Sequence, residues 1–266
     1  MLANKAWWRG TRAFLRATTI WAALCLALSL GYQFLSVNSE TLPLNTWRVL
    51  HLILTWLGLF LSFSSVAGGI AASRYLRFTG VLIHGILLAF IVLVLSGYAG
   101  PVAEYRGFIH SGGDLESRFP TGAATMNGLL ALHREVLQVP EGEHTFGGDA
   151  DHLPPNWVTY LFHSKLAFAL FAILGALLGQ RIGILTSGVP PPTRWNAQWT
   201  MGLATVVVYF LAAAVAGDWV LQDQGQSGIH AAWLPLLVPL SELLILQALL
   251  LRKPRKLPAP DGSPVE

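Results

Sequence analysis

The sequence predicts an all-α integral membrane protein of six transmembrane helices in a 3+3 arrangement, with a short external segment between helices three and four. Three observations carry this expectation. Hydrophobic residues make up 53% of the 266-residue chain and charged residues only 12%, where soluble domains carry about a quarter charged. Six apolar runs come near the roughly 20 residues that an α-helix needs to cross a hydrocarbon core about 30 Å thick. Lysines and arginines gather on one side of those runs.

The first run, 17–37, follows Lys5, Arg9, Arg12 and Arg16. Its apolar stretch is longer than the roughly 7 to 15 residues of a signal-peptide core, so it is read as a retained span. "WWRGTRAFLR" ahead of it looks interfacial, with Trp7 and Trp8 at headgroup level and the arginines toward anionic lipid. The second run, 49–72, holds "SSVAGGIAAS", where Ser64, Gly68 and Ala72 recur every four residues, as do Ser65, Gly69 and Ser73. Small residues at that spacing let helix backbones approach closely, and packing within one bundle is expected ahead of a dimer face. "ASRYLR" leaves only a tight turn before the third run, 76–99.

The external segment, 100–156, carries eight acidic residues against three basic ones. Within it "ATMNGLLALHREVLQV" has Leu129, Leu130, Val136 and Leu137 at helical spacing, which fits a short helix lying on the membrane between two loops. The remaining runs are 157–179, 197–217 and 229–251. "VPPPTRW" is a stiff connector before the fifth run, and "KLPAPDGSPVE" reads as a disordered tail. The expected units are therefore an N-terminal membrane half (1–99), the external segment (100–156), a C-terminal membrane half (157–252) and the tail (253–266).

Orientation follows from the basic residues. With the N-terminus inside, twelve of the seventeen fall in cytoplasmic segments, Arg48, Arg106, Arg118 and Arg134 fall outside, and Lys165 lies in a span. Both termini are then cytoplasmic, in a multi-pass protein of a bacterial inner membrane. The basic balance reflects topology and lipid contact, and no nucleic-acid partner is implied. Cys25 is the only cysteine, so no intramolecular disulfide can form. No G-x-x-x-x-G-K-[ST] phosphate loop occurs, which excludes ATP hydrolysis by that motif. The chain is read as not an enzyme and as having no cofactor or metal of its own.

The ionisable residues inside the spans are His84, His163, Lys165 and Glu242, each costly in hydrocarbon. Counted from the cytoplasmic side, His84 lies about 12 Å and Glu242 about 15 Å deep, a depth at which they could meet. Pro235 and Pro239 precede Glu242, so that helix should kink and free carbonyls. A buried carboxyl there fits a substrate or proton path, and fits equally a structural pair with His84 or Lys165. His51 and His163 both fall toward the external side and could ligate a haem b between facing helices. Interfacial hydrogen bonding is the commoner use of such histidines. "HTFGGDADH" brings His144, Asp149, Asp151 and His152 together, but at no established metal spacing, so a solvated acidic loop is the better reading. At 100° per residue Lys165 shares a face with Ala169, Ala172, Ala176, Gly179 and Gly183, whereas His163 shares one with Leu170, Leu174 and Leu177. Lys165 is the stronger functional candidate of the two.

In its second half the chain resembles the permease family of the lipopolysaccharide exporter. "FHSKLAFALFAILGALLGQRIG" is similar to that family's fourth-span pattern through His163, Lys165, Leu177, Leu178, Gly179 and Gly183. "VVYFLAAAVAGDWVLQDQG" looks like its fifth span through Tyr209, Gly217 and Gly225, and "AAWLPLLVPLSELLILQALLLRK" like its last. Departures are also plain. Leu161 stands where the family has an acidic residue, the external segment is too short for the family's jellyroll, and no coupling-helix loop separates spans two and three. The resemblance implies a divergent or reduced permease-like subunit of an ABC-type exporter for a lipid or lipid-linked substrate. Its energy would come from a separate ATPase subunit, and its partner would be a second copy or a paralogue. Arg48 and Lys165 would then offer positive charge to an anionic headgroup near the external leaflet. Glu242 and His84 would gate or stabilise the inner half. The alternatives are a membrane haem carrier and a non-transporting scaffold.

Overall fold

The computed structural model describes residues 2–36, 46–100, 156–222 and 228–252, and among these every regular element is a helix. In chain order they are α1 (Leu2–Ser36), α2 (Thr46–Ala72), α3 (Phe78–Val92), α4 (Asn156–Leu185), α5 (Pro191–Gln222), α6 (Gly228–Trp233) and α7 (Leu237–Arg252). A π-helical stretch, Leu93–Ala99, prolongs α3, and single 3-10 turns at Thr186–Gly188 and Leu234–Leu236 lie before α5 and α7. Five stretches are long and apolar enough to cross a membrane: Lys5–Gly31, Phe78–Ala99, His163–Gly188, Pro191–Val220 and His230–Leu251. The apolar part of α2 is shorter, Trp56–Ala72. The fold is that of an all-α, multi-pass membrane protein. The expected external segment, but for its end residues Gly100 and Asn156, and the C-terminal tail lie outside the described residues.

Nothing in "WWRGTRAFLR" breaks a helix, so α1 begins well before its apolar run. It places Gly10, Phe14, Thr18 and Ala22 inward and leaves Lys5, Arg9, Arg12 and Arg16 exposed on the opposite side. The α2–α3 connection is the tight turn that "ASRYLR" implied, closed by the Tyr75 and Leu76 amides donating to the Ala72 carbonyl at 2.9 Å each.

The middle of the bundle is α4. One side of it places Ala169, Ala172, Ala176 and Leu177 in a cluster with Val81, Leu88, Ala89 and Val92 of α3. Another packs Ala167, Phe171, Leu178 and Ile182 around Phe63 and Tyr209; Phe63 meets Phe168, Phe171 and Tyr209 edge to face, and Tyr209 meets Phe171 in the same way. A third side is reserved for α2. There the two small-residue series of α2 divide their labour. Ser65, Gly69 and Ser73 face Gly175, Ala176, Gly179 and Gly183 of α4, whereas Gly68 faces Phe14 and Thr18 of α1. Both series are therefore used within one chain. The contact is backbone on backbone: a Cβ at Gly69 would lie 2.0 Å from the Ala176 carbonyl oxygen, and one at Gly179 would lie 2.0 Å from that of Val66. In lipid, where tails are as apolar as leucine, such close packing is what holds helices together. The Ser62 hydroxyl adds a bond to the Phe168 carbonyl, and the Gln180 amide donates to the Leu76 carbonyl at 2.8 Å, fixing α4 to the α2–α3 turn.

Proline placement explains the two remaining joints. At the start of α5, Pro191 and Pro192 sit in the first turn, where a missing amide hydrogen costs nothing. The Arg194 guanidinium donates to the Val189 and Ser187 carbonyls, stapling the turn ahead of it. In the last crossing Pro235 lies in the 3-10 turn Leu234–Leu236 and Pro239 in the first turn of α7. The break thus lies one to two turns before Glu242, leaving the carboxyl on a regular helix.

Candidate functional site

A groove lies between α1, α2 and α5. Its volume is about 700 Å³, within the usual range for small-molecule sites. Ala13, Ala17, Trp21 and Cys25 form its α1 wall at a spacing of four; Phe63, Val66, Ala67 and Ile70 form its floor on α2; and Trp195, Trp199, Gly202, Leu203 and Val206 form its α5 wall. The α1 wall is small except at Trp21, the α5 wall is bulky and apolar except at Gly202, and Trp21 and Trp199 meet edge to face across the gap with centroids 4.1 Å apart.

The polar end of the groove lies at the α2–α3 and α4–α5 turns, where Ser73, Arg74, Tyr75, Arg194 and Gln198 line it. Arg194 is already engaged by carbonyls, and Gln198 donates to Thr186 at 2.8 Å. Arg74 is exposed. Asp218 and Glu242 are the only acidic residues among the described ones, and neither lines the groove. An apolar slot with an arginine at its mouth suits an amphiphile with an anionic head. Sequence reasoning did not find this site. The one signal available was the run Ala13, Ala17, Trp21, Cys25, which is legible as a face only once its neighbours are known.

The residues singled out from the sequence lie elsewhere. His84 is buried on α3 between the rings of Trp7 and Phe14, at centroid distances of 5.4 and 5.2 Å. Its Nδ1 lies 2.7 Å from the Gly80 carbonyl oxygen, which only accepts, so Nδ1 carries the hydrogen. The Thr11 hydroxyl then donates to Nε2 over 3.1 Å. Both ring nitrogens are satisfied, and the imidazole pins α1 to α3. His84→Leu is expected to cost about 1–3 kcal/mol, chiefly by leaving the Thr11 hydroxyl without its acceptor; a lowered melting temperature in detergent would show it, and an unchanged one would refute the pinning role.

Glu242 is half-buried on α7, its Oε2 2.5 Å from the Thr205 hydroxyl of α5. Equal depth therefore does not bring it to His84, whose hydrogen bonds go to Thr11 and Gly80. His163 is half-buried with its ring against Trp233 at 5.8 Å, on the side of the last crossing. Lys165 is half-buried nearby and has an interaction of its own. Gly179 and Gly183 are part of the α2–α4 contact. Arg48 and His51 belong to the first turns of α2, but their side chains, like all of "HTFGGDADH", lie outside the described residues. No cluster of three or more His, Cys, Asp or Glu occurs among the described residues.

No family model, no curated protein and no solved structure matches this chain.

Proposed function

We propose that this chain is a permease-like membrane subunit that handles a lipid or lipid-linked substrate, with a separate ATPase subunit supplying the energy. The observation that carries the reading is the groove between α1, α2 and α5. A lipid must enter such a protein sideways from the bilayer, and an apolar slot between two walls bridged by the Trp21–Trp199 contact gives an acyl chain a place to lie. Arg74 at the mouth supplies the charge for a headgroup.

In this proposal α2 also spans, giving six crossings in a 3+3 arrangement. The protein lies in a bacterial inner membrane, with both termini and the α2–α3 and α4–α5 turns cytoplasmic. The groove then opens on the inner leaflet, where substrate is collected. Arg48 and Lys165 serve the headgroup on the external side. A second copy or a paralogue faces the groove and completes the path. The similarity of the fourth to sixth runs to the lipopolysaccharide-export permeases supports the same class.

The test is purification in mild detergent from native membranes, with mass spectrometry of both proteins and lipids. An ATPase subunit and a retained anionic lipid are expected together. A chain that never recruits an ATPase and retains no lipid sinks the proposal.

A further inference from the structure

Thr205 has one hydroxyl proton and two close oxygen neighbours. Its Oγ1 lies 3.0 Å from the Met201 carbonyl oxygen, one turn back on α5, and 2.5 Å from Oε2 of Glu242 on α7. A carbonyl oxygen has no hydrogen to give. One hydroxyl proton can point fully at only one of the two oxygens, so a linear hydrogen bond in each contact needs a second proton, which the Glu242 carboxyl can hold.

The charge distribution points the same way. Glu242 lies about 15 Å along α7 from Arg252, deep in the apolar part of its crossing. Neither lysine nor arginine occurs on α4 between Lys165 and Arg181, on α5 after Arg194, on α7 before Arg252, or on α2 between Arg48 and Ala72. The titratable group nearest along α5 is Tyr209, one turn beyond Thr205, its ring enclosed by Phe63, Phe168 and Phe171. Among the described residues those stretches therefore offer Glu242 no lysine or arginine as counter-charge, and a carboxylate without one is costly in hydrocarbon. Thr205 itself is only 1% exposed, which keeps water from supplying the missing hydrogen bond at that oxygen.

We propose that Glu242 is a proton-binding site: its carboxyl holds a proton and donates it to Thr205 Oγ1, while Thr205 donates its own to the Met201 carbonyl. The site links α5, a wall of the groove, to α7, so it extends the transport reading without depending on it. When the proton leaves, the Thr205 hydroxyl turns from Met201 to the carboxylate. Proton occupancy then decides whether the α5–α7 joint is a neutral relay or a charge-assisted bond.

Infrared difference spectroscopy on the full chain in lipid vesicles tests this. At neutral pH, the spectrum of the unaltered protein minus that of Glu242→Gln is expected to contain one protonated-carboxyl C=O band, which moves to lower frequency in D2O. Thr205→Val keeps the side-chain volume and removes the hydroxyl; compared directly with the unaltered protein, it should shift that band to higher frequency. This second comparison stands even if Glu242→Gln does not fold. A difference spectrum holding only carboxylate bands at neutral pH overturns the proposal, and so does a C=O band that Thr205→Val leaves in place.

Discussion

Gly179→Val is expected to cost about 4 kcal/mol or more and to leave little folded protein. The Cβ alone would come within 2.0 Å of the Val66 carbonyl oxygen, and Gly69→Val meets the Ala176 carbonyl at the same distance. Neither neighbour is the movable end of a side chain. Relief requires α2 and α4 to separate along the seam where Ser65, Gly69 and Ser73 meet Gly175, Gly179 and Gly183. That in turn strains the Ser62–Phe168 and Gln180–Leu76 hydrogen bonds. Gly31→Ala on α1 is the control, because nothing lies within 4 Å of the added methyl; it should be neutral or stabilising by up to about 1 kcal/mol. Folded fraction against rising denaturing-detergent content measures all three. Equal tolerance of valine at Gly179 and alanine at Gly31 would contradict the seam.

Filling the groove should remove lipid retention while sparing the fold. Ala17 and Gly202 look into it from opposite walls, and a Cβ at Gly202 meets only Val66, at an ordinary 3.4 Å. Ala17→Phe combined with Gly202→Phe is expected to reduce lipid carried through detergent purification by at least about tenfold, with stability within roughly 1 kcal/mol of the parent. Lipid counts by mass spectrometry, taken beside a melting curve, separate the two effects. Undiminished lipid in a well-folded double variant would mean that the groove does not hold it.

How much of this was legible beforehand depends on what the physics leaves in one dimension. Apolar runs were legible, because hydrocarbon demands them residue by residue. So was the tight turn after Ala72, which chain length fixes locally; the start of α5 was not, because "VPPPTRW" was expected as a connector and is helical from Pro191, where prolines fit the first turn. The small-residue series in α2 were visible as series, but not which helix each would meet. Depth could be counted from the span ends, and this gave His84 and Glu242 the same level; azimuth could not, and their partners proved to be Thr11 and Thr205. The groove was invisible because its walls come from α1 and α5, far apart in sequence, and its defining contact joins Trp21 to Trp199. α1 extends from Leu2, well ahead of its apolar run, because helix propensity does not stop where hydrophobicity does.

That α4 is enclosed by other helices on its buried faces bears on how the protein is made. The glycines and Gln180 of α4 are matched by α2 and by the α2–α3 turn, where lipid would offer neither the close backbone contact nor the hydrogen bond. In the proposed six-span arrangement α4 leaves the insertion machinery after α2 and α3 are already in the bilayer, and it settles against them as a guest settles against a template. If the two halves of the chain were synthesised separately, the second should become protease-resistant only in membranes where the first had been inserted beforehand.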